Sequence, residues 1–229
     1  MARLARIVVP ECPHHVTARG NRREPIFFEE GDQEIYCDIL AEQVRRAGVQ
    51  VWAYCLTPNH VHLVLYPSTE DGLGRALGGA HRRWANYVNV RGRWRGHLFD
   101  GRFASVAMDE RHLLAAVRYV SLNPVRTGLT ASAQAWPWSS VRAHLQGQDD
   151  GLVTVQPVLD RVERFADLVA AGLEEPAFGR LRAAESTGRP LGTAEFVADL
   201  ERRLGRPVAR RAPGRKPRVQ TATGRLPLA

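Results

Sequence analysis

Residues 49 to 66 read VQVWAYCLTPNHVHLVLY, two runs rich in β-branched and aromatic residues on either side of Thr57-Pro58-Asn59. Runs of this kind favour β-strands. A proline followed by an asparagine in a link this short favours a tight turn. The stretch therefore predicts a hairpin of two antiparallel strands, from Val49 to Leu56 and from His60 to Tyr66.

The chain before this hairpin predicts one strand and one helix. His14 to Arg19 alternates in character as a strand does and ends at the turn signal Gly20-Asn21. Apolar residues recur at helical spacing from Gln33 to about Ala47. Asp32 is placed to cap this helix at its start, and Gly48 is placed to end it.

The chain after the hairpin predicts a helix, a strand and another helix. An arginine-rich stretch from Leu73 to about Val90 favours the helix, and Arg102 to Met108 favour the strand. Asp109 can cap the last helix, which we expect to stop before Pro124 because a residue preceding proline avoids helical angles. The order is the split βαβ arrangement of ferredoxin-like folds, so we predict an α+β sandwich.

The domain organisation follows from changes in composition along the chain. We assign the α+β domain to residues 1–150 and a helical C-terminal extension to residues 151–205, with helices predicted from Val155 to Gly172 and from Thr193 to Leu204. Residues 206–229 are rich in arginine, proline and glycine, and we expect this basic tail to be disordered.

The composition is that of a globular protein: 229 residues, of which 44% are hydrophobic and 24% are charged. No run of about 18 apolar residues occurs, and Pro10 and Glu11 come before any signal-peptide core could form. Cys12, Cys37 and Cys55 have no CxxC spacing, which fits a reducing compartment. We therefore expect a cytoplasmic protein without a membrane segment or a disulfide framework.

The charge is concentrated in two blocks of the chain. The total of 32 basic and 24 acidic residues gives a net charge of +8. Residues 202–229 hold nine basic residues and no acidic one, and residues 75–126 hold ten arginines against three acidic residues. Two concentrated basic blocks favour a polyanionic partner, most often nucleic acid. The single lysine, Lys216, precedes Pro217, so the GxxxxGK[ST] phosphate loop of ATP-driven enzymes is absent.

His60 and His62 form the first candidate site. Because side chains alternate between the two faces of a strand, both imidazoles point the same way, about 6 to 7 Å apart along the backbone. This separation suits the binding of one cation. It suits an ordinary polar strand surface equally well, and a metal site would need a third ligand.

The segment RYVSLNPVRTG, residues 118–128, forms the second candidate site. Tyr119 falls roughly 160° around its helix from Val117, off the apolar stripe, which argues against an ordinary core position. Asn123 follows by four residues, so the phenol and the amide share one helix face if the last turn continues to Pro124. Taken alone, such a tyrosine is more often a packing or capping residue.

Five segments in the same order resemble the single-tyrosine (HUH) transposases of small insertion sequences, and most closely their relatives associated with repetitive extragenic palindromes (REP). The resemblance covers about residues 8 to 145, and TGRPLG at 187–192 is also similar to the tail of the REP-associated group. The five segments are HHVTARGN (14–21), PNHVHLVL (58–65), GHLFDGRF (96–103), RYVSLNPVRTG (118–128) and WPWSS (136–140).

This resemblance implies an HUH endonuclease-type fold and a specific chemistry. A tyrosine attacks a phosphodiester of single-stranded DNA, forms a 5′-phosphotyrosine link and releases a 3′-hydroxyl. Matched residue by residue, Tyr119 is the nucleophile, His60 and His62 are metal ligands, and Asn123 is a polar ligand one helical turn after the tyrosine. Phosphoryl transfer and an amide ligand favour Mg²⁺ or Mn²⁺ as the cofactor.

The implied partner is single-stranded, hairpin-forming DNA bound by basic side chains. The chain would act as a monomer or a homodimer, and the sequence does not choose between them. The residues expected to contact DNA are Arg19, Arg82, Arg83, Arg91, Arg93, Arg95, Arg102, Arg118, Arg126, Arg215 and Lys216.

Three functions fit these features. The first is a metal-dependent transposase that cleaves and rejoins single-stranded DNA. The second is a domesticated, non-catalytic DNA-binding protein that keeps the same fold, and the third is a related nicking enzyme for replication initiation. The presence of His60, His62 and Tyr119 together favours the first.

Overall fold

The computed structural model describes residues 6–172 and 175–209, which form a four-stranded sheet and eight α-helices. The elements, in chain order, are β1 (His14–Arg19), α1 (Asp32–Ala47), β2 (Val49–Thr57), β3 (His60–Pro67), α2 (Gly72–Gly92), β4 (Ala104–Ala107), α3 (Glu110–Arg126), α4 (Val141–Gln146), α5 (Gln156–Leu159), α6 (Phe165–Ala170), α7 (Glu175–Thr187) and α8 (Ala194–Leu204).

The sheet has the strand order β2-β3-β1-β4, and every neighbouring pair is antiparallel. This is the ferredoxin-like α+β arrangement that the order of elements predicts, so the expected fold class is confirmed. The expected hairpin is the β2–β3 pair, in which Thr57 lies opposite His60 and Pro58-Asn59 make the turn. β1 lies between β3 and β4 at the centre of the sheet.

The two faces of the sheet carry two hydrophobic cores. On one face, Val16, Val61 and Leu63 pack with buried residues of α1 and α2. On the other face, Val64 and Val106 pack with residues of α3 and α7. Because side chains alternate along a strand, His15 and His62 face α3.

Helix α3 differs from its expected length, because it continues through Pro124 to Arg126. The expectation that it would stop before Pro124 is wrong. Proline removes one N–H donor from the last turn. The end of the helix is held by other bonds, since the backbone N–H and the hydroxyl of Thr127 both donate to the carbonyl of Asn123, and Leu129 N–H donates to the carbonyl of Pro124. As expected, Asp109 caps the start of α3 by accepting from His112 N–H.

Two other helix predictions need correction. Asp32 lies inside α1 rather than capping it, because its carboxylate turns back to accept from the N–H groups of Phe28 and Glu29. The helix predicted from Val155 to Gly172 is broken into the short helices α5 and α6. Helices α4 and α7 were not predicted.

The helical extension packs on the sheet domain. Phe178 and Leu181 of α7 join the core around α3. Helix α8 begins at the predicted cap, where Thr193 accepts from Phe196 N–H, and it buries Leu200 against Ile7 and Val9. Val208 packs in the same small cluster, so the first residues of the expected tail are packed. Residues 210–229 lie outside the described part of the chain.

The cysteines and the helices bear on two of the expectations from composition. All three cysteines are free thiols. Among residues 6–172 and 175–209, no helix combines the length and the hydropathy needed to cross a bilayer.

Candidate active site

The β2–β3 hairpin brings His60 and His62 together on the α3 face of the sheet. Both side chains are buried, their ring centroids lie 4.8 Å apart, and the rings are nearly perpendicular. Arg19 lies directly opposite His60 on β1. The juxtaposition expected from residue spacing is therefore present.

The hydrogen bonds of His60 define which ring nitrogen is available. Its Nδ1 lies 2.7 Å from Thr57 Oγ1 and 2.6 Å from Asn59 Oδ1. The Thr57 hydroxyl donates its own proton to the carbonyl of His60, so it accepts from Nδ1. Nδ1 then carries the proton, and Nε2 keeps the lone pair that a metal ion requires.

His15 is the third imidazole of the site, and sequence reasoning did not select it. In the sheet it lies opposite Val64, one diagonal step from His62 on the same face. Its Nε2 lies 3.1 Å from Nδ1 of His62, and the two rings are within 7° of parallel with centroids 5.3 Å apart. Two parallel rings can have nitrogens this close and centroids this far apart only if they lie side by side in nearly one plane. Nε2 of His15 and Nδ1 of His62 therefore point at each other and share one in-line hydrogen bond.

Glu185 reaches the site from α7. Its Oε1 lies 3.5 Å from Nδ1 of His15, longer than a standard hydrogen bond, and neither atom has a hydrogen bond to another described residue. Burial raises the pKa of the Glu185 carboxyl to about 7. His15, His62 and Glu185 offer donor atoms within 4.8 Å of one another, so this group could hold a divalent ion.

All three histidines are neutral at pH 7. Burial lowers the pKa of His15 to about 4, and burial together with the charges of Arg19 and Arg126 lowers that of His60 to about 4. Burial and the neighbouring His60 hold the pKa of His62 well below its ordinary value of 6.5. A neutral imidazole offers a lone pair without first losing a proton, which favours metal binding.

Tyr119 lies against the histidines rather than toward solvent. Its ring meets the rings of His62 and His15 edge to face, with centroids 5.3 and 5.8 Å away. Only 2% of its surface is exposed, so the expectation that it lies off the core is wrong. The reason is α7, whose Phe178 packs on the phenol ring from a segment that was not predicted.

The phenol oxygen of Tyr119 has a cationic partner. Arg126 Nη2 donates to it over 3.1 Å, which is possible because α3 continues past Pro124. Burial raises the pKa of the phenol and the charge of Glu185 raises it further, whereas Arg126 lowers it. Removing the phenolic proton is therefore costly in this site, and Arg126 offsets part of that cost.

Asn123 is fully buried, with 0% of its surface exposed. Its Nδ2 and Oδ1 have no hydrogen-bond partner among the described residues. Buried amides are rarely left unpaired, because an unsatisfied polar group costs roughly 1–3 kcal/mol. The orphaned amide oxygen therefore fits a missing partner such as an ion or a bound water.

A cleft of about 410 Å³ opens beside His60. Arg19 and Arg23 line it from the β1 side, and Thr127 and Leu129 line it from the end of α3. The cleft therefore joins the histidine site to solvent with two positive charges at its walls, an arrangement that attracts a phosphate chain.

The remaining arginines expected to contact DNA fall into three groups. Arg83 pairs with Glu42, Arg91 pairs with Asp32 and Glu29, and Arg118 is buried beside Phe178. Arg215 and Lys216 lie outside the described residues. Arg82, Arg93, Arg95 and Arg102 are exposed, and so is Arg83 beside its partner Glu42.

A signal for His15 was present in the sequence. In HHVTAR, His15, Thr17 and Arg19 alternate with Val16 and Ala18, so His15 shares the polar face of its strand with Arg19. Pairing β1 next to β3, as the fold requires, places that face beside His62. Glu185 carried no comparable signal, because it lies on a helix distant in sequence whose packing was not predicted.

Two solved structures are similar to this chain. A REP-associated tyrosine transposase, solved bound to a REP hairpin, superposes with a TM-score of 0.54 over 67% of this chain and 92% of its own, at 18% identity. A transposase candidate from Deinococcus radiodurans superposes with a TM-score of 0.37 over 52% of this chain and 95% of its own, at 20% identity. No curated protein matches the sequence significantly.

The family assignment rests on a sequence model rather than on superposition. The model described as "Transposase IS200 like" matches residues 8–123, just over half of the chain. The match begins before β1 and ends within α3, so it contains His15, His60, His62, Tyr119 and Asn123. The chain therefore belongs to the IS200-like transposase family.

Proposed function

We propose that this transposase cleaves and rejoins single-stranded, hairpin-forming DNA through a 5′-phosphotyrosine intermediate on Tyr119. The observation that carries the proposal is the edge-to-face contact of Tyr119 with His62, at 5.3 Å between ring centroids. It sets a phenol nucleophile beside buried, neutral imidazoles at the end of an arginine-lined cleft. We assign this chemistry to residues 1–150, with the extension at 151–205 covering the site.

The strand-transfer step uses the phenol oxygen of Tyr119. A bond forms from that oxygen to phosphorus, the bond from phosphorus to the 3′ oxygen breaks, and the phenolic proton leaves as the 3′ oxygen gains one. Arg126, which donates to the same phenol oxygen, stabilises the negative charge that appears when the proton is lost. A 3′-hydroxyl then attacks the phosphotyrosine and releases Tyr119. The covalent link keeps a phosphodiester bond throughout, so no nucleotide cofactor is needed.

His60, His62 and Asn123 would hold a divalent ion, Mg²⁺ or Mn²⁺. The free Nε2 of His60 and the orphaned amide of Asn123 support this donor set. When bound, such an ion polarises a scissile phosphate and offsets the charge developing on its oxygens. A mixed set of nitrogen and amide oxygen suits Mn²⁺ and Mg²⁺ better than a purely imidazole set would.

The DNA would enter along the positive wall of the cleft. Arg19 and Arg23 stand at its mouth, and Arg82, Arg93, Arg95 and Arg102 are exposed on neighbouring segments. Trp94 is 50% exposed and packs edge to face on Phe28, which makes it available to stack on an unpaired base. The hairpin bound by the similar REP-associated tyrosine transposase supports a hairpin substrate.

The test is covalent trapping of DNA. Purified protein with Mn²⁺ is mixed with a labelled single-stranded hairpin, and the adduct is separated under denaturing conditions. We expect an adduct with the wild-type protein and none with Tyr119→Phe, which removes only the phenol oxygen. Tyr87→Phe, on an exposed tyrosine of α2, is the matched control and should leave the yield unchanged. An adduct that persists in Tyr119→Phe would require another nucleophile.

A non-catalytic DNA-binding protein of the same fold is the second candidate. The 2% exposure of Tyr119 favours it, because a phosphate can meet the phenol oxygen only after its covering side chains move. The same trapping experiment decides: hairpin binding with no adduct at any metal concentration would favour this second function.

A further inference from the structure

Helix α7 places a carboxylate behind the histidines of the site. Glu185 lies beyond residues 8–123, the part of the chain that the family model matches. Its Oε1 faces Nδ1 of His15, and Nε2 of His15 faces Nδ1 of His62. The three side chains form one line that ends at a proposed metal ligand.

The line leaves two arrangements of protons. Because His15 and His62 are both neutral, each carries one ring proton, and one ring must donate to the other. If His15 donates from Nε2, the remaining proton of His62 lies on Nε2, and that nitrogen cannot bind a metal ion. If His62 donates from Nδ1, its Nε2 keeps the lone pair. The first arrangement would block the site and the second prepares it.

We propose that Glu185 and His15 act as positioning residues that fix the proton of His62 on Nδ1 and leave Nε2 free for the metal ion. When Glu185 is ionised, its carboxylate oxygen beside Nδ1 of His15 favours a proton at that atom, so Nε2 of His15 must accept from His62. Carboxylate–histidine pairs behind metal ligands fix the tautomer and the orientation of the ring in this way. The inference rests on the function proposed above.

Direct binding of the metal ion by Glu185 and His15 is the competing arrangement. It requires the lone pairs of His15 and His62 to converge on a third point. The two rings instead lie in nearly one plane with their nitrogens 3.1 Å apart, so the lone pair of one points at the other ring rather than at a shared ion. The in-line geometry favours the relay.

The test measures the proton on His62 and the affinity for Mn²⁺, both without DNA. Nitrogen-15 NMR of the imidazoles reports which ring nitrogen carries the proton, and His62 is assigned from the signal lost in His62→Ala. At pH 8, above the Glu185 pKa of about 7, we expect the Nδ1–H form in the wild type and a mixture of both forms in Glu185→Leu. Calorimetric titration should show Mn²⁺ binding weakened by about 10- to 100-fold in Glu185→Leu, the usual effect of removing such a partner.

Two further variants separate the relay from other roles of Glu185. Glu185→Gln offers an amide oxygen that can still accept from His15, so it should keep both the tautomer and the affinity close to wild type. If Glu185→Gln binds Mn²⁺ as weakly as Glu185→Leu does, the relay is overturned and direct ligation is favoured, because a neutral amide is a poor substitute for a ligating carboxylate. Glu163→Leu removes an exposed negative charge from the same extension and should change neither measurement.

The outcomes also separate this inference from the proposed function. An unchanged His62 tautomer and unchanged Mn²⁺ affinity in a folded Glu185→Leu protein would overturn the relay, while the wild-type DNA adduct would still stand. The tautomer change without any wild-type adduct would support the relay and overturn the proposed function alone. If Glu185→Leu does not fold, His15→Phe removes the other member of the relay. It should likewise give a mixture of His62 tautomers and weaken Mn²⁺ binding.

Discussion

Arg126 donates a hydrogen bond to the phenol oxygen of Tyr119 from two turns further along the same helix, and its guanidinium carbon lies 5.0 Å from the centre of that ring. Burial and the nearby Glu185 raise the pKa of Tyr119, whereas Arg126 lowers it. In the proposed attack, Arg126 would therefore be the cation that contributes most to stabilising the phenolate, with Arg182 and Arg19 adding to its effect.

The first prediction concerns this cation. Arg126→Gln should slow adduct formation at neutral pH by about 10- to 100-fold, because a hydrogen bond to a charged group is worth roughly 1.5–3 kcal/mol. Losing the charge raises the pKa of Tyr119 further, so the pH–rate profile should move to higher pH. Single-turnover trapping across a pH series measures both effects. Arg45→Gln, on the exposed face of α1, is the control, and a profile that moves equally in both variants would contradict the assignment.

The second prediction separates metal binding from DNA binding. His60→Ala should remove Mn²⁺-dependent adduct formation and leave hairpin affinity nearly unchanged, because affinity comes chiefly from arginine–phosphate contacts. Asn123→Ala should be milder, since water can replace a neutral amide ligand. Trapping over a metal titration, with gel-shift binding at fixed salt, measures both properties. Equal cleavage by His60→Ala at every metal concentration would remove His60 from the site.

The sequence predicted the parts of the site that depend on local pattern. The turn at Pro58-Asn59 fixes the β2–β3 register, and strand alternation then sets His60 and His62 on one face. Local propensity failed at Pro124, where it predicted the end of α3, because the bonds from Thr127 and Leu129 that hold the last turn come from residues after the proline. The reach of Arg126 to Tyr119 depends on that extra turn.

The parts that the sequence did not predict depend on contacts between distant segments. Glu185 meets His15 across 170 positions of chain, and the apolar pattern of its helix is too weak to predict a helix from the sequence. Phe178 of the same helix covers Tyr119, which turned an expected off-core position into a buried one. Both the Glu185–His15 contact and the burial of Tyr119 result from packing of the C-terminal extension, and no local motif encodes that packing.

The third prediction concerns Arg91, which the charge pattern assigned to DNA. Its guanidinium binds both carboxylate oxygens of Asp32, at 2.6 and 2.9 Å, and the side chain of Asp32 is only 1% exposed. Arg91→Ala would leave a buried charge unpaired, so it should lower the free energy of unfolding by about 3–5 kcal/mol. Arg93→Ala, two residues on and exposed, should leave stability unchanged and weaken hairpin binding. Urea unfolding and fluorescence anisotropy measure the two quantities, and the reverse pattern would place Arg91 in the DNA interface.

The same pair makes stability depend on pH. Burial alone would raise the pKa of Asp32, but hydrogen bonds from Arg91 and from the N–H groups of Phe28 and Glu29 outweigh burial and hold it below its ordinary value of 3.8. A carboxyl with a depressed pKa contributes its full stability above the unfolded-state value and loses it as pH falls through the folded-state value. As pH falls below about 3.8, the free energy of unfolding of the wild type should therefore decrease by an amount that Asp32→Asn does not show.

The last prediction concerns the basic tail. Residues 210–229 hold six basic and no acidic residues, without an apolar pattern that could bury them, which leaves solvation or phosphate contact as their uses. A cut at the predicted boundary of residue 206 would remove Val208, which packs against Ile7, Val9 and Leu200. A cut after Ala209 keeps that cluster and should therefore preserve both the fold and adduct formation.

Truncation after Ala209 should weaken hairpin binding mainly at low salt. If about four of the six basic residues meet phosphates of a single strand, the slope of log affinity against log salt should flatten by about 3, at ~0.7 per contact. Preference for one hairpin sequence over another should stay the same, because phosphate contacts position DNA without reading its bases. Binding of the full-length and truncated proteins across a salt series measures the slope. Identical slopes would mean that the tail is only solvated, whereas a lost sequence preference would mean that it reads bases, since charge neutralisation alone affects every hairpin equally.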